Sequence, residues 1–250
     1  MKKTLIAIVN AHSRQNYQEA QRATWLPSIP PGLDYKFFRG RGGIREPYDD
    51  EVFLDVDDGY MGLPEKVQAI MRWSSEHGYE FTLKLDDDTL LHPDRFLISG
   101  YDLHDFVGNI IGDGGQTVVP WGFAWSLSRR SMDIVAKEPL PSNNNDEYWI
   151  SYALLYKGIR LQSDERYRIH KVGEEALAAP LTRKDGPPPL MISTLRNERP
   201  LRAPKRTSPN KEIIVPDPRL IALCMFYTQG ERLPDDVNIA EMYKVWSRFK

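Results

Sequence analysis

Asp86, Asp87 and Asp88 stand in a row directly after the apolar-leaning run Tyr79 to Leu85. Carboxylates this close repel one another, and a divalent cation is the usual partner that relieves them. All-oxygen ligands suit Mg²⁺ or Mn²⁺, and such a cation can hold a diphosphate. The rival explanation is a solvated acidic turn. The strand expected before the cluster, and Thr89-Leu90-Leu91 after it, favour a cluster anchored between ordered segments. A second acidic pair, Asp146-Glu147, opens a helical pattern that closes at Gly158. These residues are candidates for acid–base work, or they complement the helix dipole.

The elements that would position these groups alternate between strand and helix. The pattern predicts strands at Leu5 to Val9, Tyr35 to Phe38, Glu51 to Leu54 and Phe81 to Leu85, with Thr117 to Pro120 and Trp121 to Leu127 as two more. It predicts helices at Tyr17 to Trp25 (ended by Pro27), Leu63 to His77 (Pro64 in its first turn, Gly78 past its end), Asp94 to Leu97, Ser128 to Lys137 and Asp146 to Lys157, the last capped by Asn144 or Asn145. Such alternation implies an α/β sandwich with a mostly parallel sheet. Ligands of such sheets bind beyond the carboxyl ends of the strands, where the aspartates are expected. Beyond His170 the pattern loosens into a proline-rich, basic stretch, with an amphipathic helix expected from Asp236 to Phe249. The expected division is a core over 1–170 and a C-terminal arm over 171–250 that extends the same domain.

Composition narrows the function classes. The 250 residues are 41% hydrophobic with a net charge of −2, so a core is available and no global field is implied. Charge is uneven, however. Between Arg166 and Lys211 eleven Lys and Arg face four acids, a local +7. The single cysteine, Cys224, allows no internal disulfide and fits a reducing compartment and a core position. The start, Met1 to Val9, reads as a buried strand rather than a signal peptide. No stretch reaches the ~20 apolar residues a membrane helix needs. The expectation is a soluble cytoplasmic protein, in the host cytoplasm if the source is viral, with no membrane partner and no indication of oligomeric state.

Five segments together resemble one family. Arg22-Ala23-Thr24-Trp25 is similar to the R-x-T-W signature of family 31 glycosyltransferases, the β-1,3-galactosyltransferase and Fringe group. Asp55 to Lys66 resembles its D-x-x-D-x-Y-x-x-L-x-x-K, and Lys84 to Thr89 its K-x-D-D-D-V. Trp121 to Ser128 resembles its G-x-G-Y-x-L-S with the first glycine kept. Asp146 to Ile150 with Gly158-Ile159 resembles its E-D-V helix before L-G-I, the two acids in swapped order. The likeness runs from Leu5 to His170. It implies a GT-A fold, a UDP-sugar donor and Mn²⁺. On matching positions Asp88 would bind the metal, and Asp86 the donor ribose or a metal-bound water. His170 resembles the family's late metal-binding histidine. Asp87, Arg14, Asp57 and Lys66 are further candidate donor contacts. Counting back from Gly158 puts Glu147 where the family has its aspartate base, with Asp146 as the alternative. Enclosure by Tyr148 and Trp149 would raise the pKa of that base. Arg22 and Trp25 are expected to pack the first helix.

The implied activity is inverting transfer of a sugar to a hydroxyl. Animal members of the family carry an anchor and disulfides, which points the acceptor away from secretory glycans here. The +7 tract suits a polyanion, so the sharper expectation is a hydroxymethylated base in DNA, flipped from the duplex. The alternative is a glycan or small-molecule acceptor. A rival chemistry is a haloacid-dehalogenase-type phosphatase, because Val52 to Asp58 mimics its D-x-D strand and Ile111 to Gly115 its G-D-G turn.

Overall fold

A computed structural model describes residues 2–43, 45–111, 119–169, 222–224, 227–228, 231–232 and 243. His170, most of the basic tract, and the expected C-terminal helix apart from Tyr243 lie outside the described residues.

A seven-stranded sheet forms the middle layer. Its order is β3 (Glu51–Phe53), β2 (Leu33–Arg39), β1 (Thr4–Val9), β4 (Phe81–Asp86), β7 (Val119–Ser128), β6 (Phe106–Ile111) and β8 (Gln162–Ser163). The pairings β1·β2, β1·β4, β2·β3 and β6·β8 are parallel, whereas β4·β7 and β6·β7 are antiparallel. The sheet is therefore mostly parallel, as expected. Every residue of β1 is buried, as a central strand covered on both faces requires. Alternation sends Ile6, Ile8, Leu83 and Leu85 to one face, where they meet Trp25, Phe96 and Tyr101. Leu5, Ala7 and Val9 go to the other, against Val67, Ile70, Met132, Trp149 and Ile150. The helices α2 (Leu63–Glu76), α4 (Arg129–Val135) and α5 (Asp146–Tyr156) supply that second layer.

Several boundaries differ from the sequence expectation. The first helix, α1, spans Gln15–Arg22, and Pro27 lies in a separate 3-10 turn, Leu26–Ser28. β6 was not expected, and β7 is one strand where two were anticipated. α4 begins one residue late because Ser128 is its N-cap, the hydroxyl accepting from the Ser131 amide. α2 and α5 follow the predicted pattern, with Gly78 and Gly158 just past their ends at φ +78° and +76°, the left-handed region glycine tolerates.

After the aspartates the chain leaves the main sheet. β5 (Thr89–Leu91) pairs antiparallel with β10 (Ala222–Cys224), which pairs parallel with β9 (Tyr167–Ile169). The α3 helix (Pro93–Leu97) follows β5. Strand β10 thus pairs with the strand that directly follows the acidic cluster.

A buried ionic node fixes the β2–β3 edge. Glu51, with a fully buried side chain, accepts from Arg39 at 3.0 Å, from Arg45 at 2.7 and 2.9 Å, and from the Tyr48 amide at 2.9 Å. Arg22 reaches the same edge through a bidentate pair with Asp50 at 2.7 and 2.8 Å, and Trp25 is buried, so the R-x-T-W segment packs α1. Burial pushes the Glu51 carboxyl up, but Arg45, Tyr48 and Arg39 outweigh it and hold it at about 2. A depressed carboxyl pKa stabilises the fold above the unfolded value and loses that contribution as pH falls toward 2. Glu51→Gln leaves Arg39 buried without its counter-charge, so urea denaturation at pH 7 should register a loss of about 3–5 kcal/mol. A loss below about 1 kcal/mol would show that the node is not a stabilising element.

Candidate functional site

A cleft of about 600 Å³ opens beyond the carboxyl ends of β1 and β4. Asn10, Arg14, Asp58, Lys66, Lys84, Asp86, Asp87, Asp88, Gly122 and Glu147 contribute to its wall. Its position agrees with the rule for open α/β sheets.

The three aspartates do not act alike. Alternation along β4 puts Lys84 and Asp86 on the face toward α5, and the next residue turns to the α1 side. There Asp87 is buried, and Arg14 grips it through Nε at 2.8 and 3.0 Å and Nη2 at 2.5 Å. Asn10 donates to its Oδ2 at 2.7 Å, and Gln21 to its carbonyl at 2.6 Å. Burial pushes the Asp87 carboxyl up while Arg14 and Asn10 oppose the rise. Asp87 and Arg14, both expected at the donor, are thus each other's partners and shape the cleft wall from behind. Asp86 and Asp88 remain as cleft-lining carboxylates of intermediate exposure.

Lys84 lies on the opposite side of the same strand end. It is 1% exposed, and its Nζ donates to Asp86 Oδ1 at 2.5 Å and to the Gly122 carbonyl. Burial acts to lower the ammonium pKa, but Asp86, Asp146 and Glu147 together hold it above its usual value. Lys84 is therefore a buried positive charge among carboxylates from two elements.

The α5 pair divides its labour. Asp146 is 1% exposed and absent from the cleft wall, whereas Glu147 lines it. Asp146 Oδ2 is buried without a hydrogen-bond partner among the described residues. Burial pushes its carboxyl up to about 8, with Lys84 acting against the rise and Glu147 and Asp86 adding to it. Tyr148 is exposed, and Trp149 is buried in the core with Nε1 donating to the Pro139 carbonyl at 2.8 Å. Trp121, Gly122 and Phe123 form that side of the cleft.

In the Asp55 to Lys66 segment the cleft wall takes Asp58 and Lys66. Asp57 is exposed, accepts from the Gly59 amide at 3.2 Å and does not line the cleft. Asp58 does. It accepts from the His12 amide at 2.7 Å, the Gly40 amide at 2.6 Å and Lys66 Nζ at 2.8 Å. These donors hold its carboxyl below the usual range against the upward push of burial. A Cβ at Gly40 would stand 2.7 Å from the backbone of Asp58 and Val56, so glycine permits this approach. Lys66 is buried and also donates to the Asn10 carbonyl at 3.0 Å. Asp55 pairs with Arg41 with 91% of its side chain exposed. Neither Asp55 nor Asp57 lines the cleft, so a D-x-D nucleophile has no site there.

For a divalent cation, Asp86 and Asp88 offer hard oxygen donors of the right kind, leaving other positions to water and a ligand's phosphate oxygens. Among the described residues, no group of three or more His, Cys, Asp and Glu is assembled as a metal site. No helix among them is long and apolar enough to cross a membrane.

No protein-family model matches the chain. It is 31% identical over 99 residues to a protein named probable β-1,3-galactosyltransferase 13 of Arabidopsis thaliana, covering 31% of this chain and 29% of that one. It is 32% identical over 108 residues to probable β-1,3-galactosyltransferase 12 of the same plant, covering 34% and 29%. The chain thus spans less than a third of the length of the curated relatives it matches. Among solved structures, a Desulfovibrio desulfuricans protein assigned as a nucleotide-diphospho-sugar transferase aligns with a TM-score of 0.45 at 11% identity, over 66% of this chain and 80% of that one.

The raised Asp146 carboxyl makes stability depend on pH. A carboxyl raised in the folded state stabilises fully below the unfolded pKa and loses that contribution as pH rises through the folded one. With the folded value at about 8, wild type should lose stability relative to Asp146→Asn between about pH 4 and pH 8, by up to about 1.4 kcal/mol per pH unit. Urea denaturation of both proteins across that range tests this, and a difference independent of pH contradicts it.

Proposed function

We propose that this protein is a glycosyltransferase that moves a sugar from a nucleoside diphosphate, UDP by resemblance, to an acceptor hydroxyl with inversion. One observation carries the reading: the cleft-lining carboxylates Asp86 and Asp88 share a cleft with Glu147, which projects from a different element. The first pair suits a cation-held diphosphate, and Glu147 suits proton abstraction. The local sequence likeness to the two plant proteins named as galactosyltransferases supports the same class.

Charge argues for metal dependence. The cleft wall holds Arg14, Lys66 and Lys84 against Asp58, Asp86, Asp87, Asp88 and Glu147, a formal −2. A diphosphate entering alone meets net repulsion. When bound at Asp86 and Asp88, Mn²⁺ or Mg²⁺ supplies Lewis-acid neutralisation of the leaving diphosphate. His170 joins this set in our reading by resemblance. The chain's own residues do the rest. Lys84 keeps Asp86 oriented, Asp58 and Lys66 hold the wall beside the β1 end, and Tyr60, 75% exposed at the mouth, offers a ring to the nucleoside. Glu147 takes the proton from the acceptor hydroxyl as it attacks the anomeric carbon. Asp146 is buried and absent from the cleft wall, so Glu147 is the better placed of the two.

For the acceptor, the +7 between Arg166 and Lys211 supports a polyanion. A hydroxymethylated base in DNA supplies both that charge and the hydroxyl. Its binding should weaken steeply between 50 and 200 mM salt, by roughly 10³-fold or more if six phosphates are contacted. Salt-insensitive binding returns the reading to a glycan or small-molecule acceptor.

The direct test of the donor site is calorimetry with a set of UDP-sugars, with and without Mn²⁺. One donor should bind only with the metal, and Asp88→Ala should abolish that heat. Glu147→Gln should retain donor binding and lose transfer by about 10²–10⁴-fold, the usual weight of a general base. Metal-independent donor binding overturns the carboxylate site, and normal transfer by Glu147→Gln overturns the base.

A further inference from the structure

Gly122 sits inside β7, where glycine weakens a strand and marks close approach by another group. Its backbone is not among those with positive φ, so conformation does not demand glycine there. A side chain at 122 would instead displace the flexible end of Glu147. A Cβ at this position would fall inside contact distance of Glu147 Oε1, 2.9 Å from Cδ and 3.3 Å from Cγ. The Glu147 side chain therefore lies across the bare face of residue 122.

A second observation concerns what holds that face in place. The ladder between β4 and β7 ends at Leu85 and Ala124. Toward β6 the pairing jumps from Gly108 with Trp125 to Ile110 with Pro120, across an irregularity. Residues Trp121 to Phe123 thus carry none of the register pairs of either neighbouring strand. The Gly122 carbonyl instead accepts from Lys84, the same buried ammonium that holds Asp86.

We propose that Gly122, pinned through its carbonyl by Lys84, is the seat that sets the reach of Glu147, so that residue 122 determines which length of acidic side chain can serve as base. Lys84 is a positioning residue: it fixes a metal-side carboxylate and the base-side seat from one point. This inference rests on the reading of Glu147 as the base. It accounts for a glutamate where the resembled family has aspartate. The longer side chain crosses a residue with no side chain, and the strand at that residue is tied to the strand carrying Asp86.

The test is a double-mutant cycle on sugar transfer with Gly122→Ala, Glu147→Asp and the double variant, each with donor KM, kcat and melting temperature. Gly122→Ala should lower kcat by about 10²-fold, the cost of misplacing a reacting group by about 1 Å, with donor KM nearly unchanged. Glu147→Asp alone should also lose kcat, because its carboxylate ends short of the seat. Adding Glu147→Asp to Gly122→Ala should recover kcat by at least about tenfold over Gly122→Ala alone, a coupling that independent sites do not give. Wild-type kcat in Gly122→Ala, or a double variant whose loss equals the product of the two single losses, overturns the seat. If wild type transfers from no donor, the reading of Glu147 as base fails instead, and a melting cycle still tests the seat. In that cycle, or if Gly122→Ala unfolds early, Glu147→Asp must restore the melting temperature of Gly122→Ala, and additive losses overturn the proposal.

Discussion

The buried ammonium of Lys84 is the constraint on which the site depends. An ion taken from water into a protein interior costs several kcal/mol unless charge and hydrogen bonds compensate it. Here the compensation comes from Asp86 Oδ1 and the Gly122 carbonyl by direct contact, and from Asp146 and Glu147 through the field. Those partners belong to β4, β7 and α5. Satisfying one charge therefore draws together three elements that are distant in sequence, and it does so at the end of the sheet where an α/β protein binds ligands. Folding and site assembly are the same event at this point.

The other side of the β4 end shows the same logic with the signs reversed. The buried Asp87 carboxylate accepts from Arg14 and Asn10 on the β1–α1 side, and Gln21 donates to its backbone carbonyl. Gln18 in turn donates to Asn10 Oδ1 at 2.8 Å. Lys84 thus holds Asp86 on one face of the strand end, and Arg14 holds Asp87 on the other. The acidic triplet thus separates into one buried carboxylate held by Arg14 and Asn10 and two, Asp86 and Asp88, of intermediate exposure in the cleft wall.

Much of this was legible in the sequence. Continuous apolar runs exposed β1 and β4, and Gly78 and Gly158 marked the ends of α2 and α5. A row of acids after a buried strand located the cleft. Other features were hidden for physical reasons. β6, Phe-Val-Gly-Asn-Ile-Ile, has a central glycine and asparagine that read as a turn, and its antiparallel pairing with β7 depends on contacts remote in sequence. Asp57 and Asp58 are indistinguishable by composition, and only the positions of the His12 and Gly40 amides select the second. Asp87 turned inward because strand alternation carried past Asp86, a consequence hard to see in three identical residues. Lys84 did leave a signal: a lone lysine within Phe-Thr-Leu-Lys-Leu, in an otherwise buried strand, demands counter-charges, and the two acidic clusters were the available ones.

The most direct test of the account is a crystal structure with UDP and Mn²⁺, with anomalous scattering used to locate the metal. One manganese peak is expected beside Asp86 and Asp88 at the diphosphate, with Lys84 still on Asp86 and the Glu147 carboxylate across Gly122 facing the sugar position. Manganese bound elsewhere, or UDP seated in the cleft with no metal between its phosphates and these two carboxylates, contradicts it.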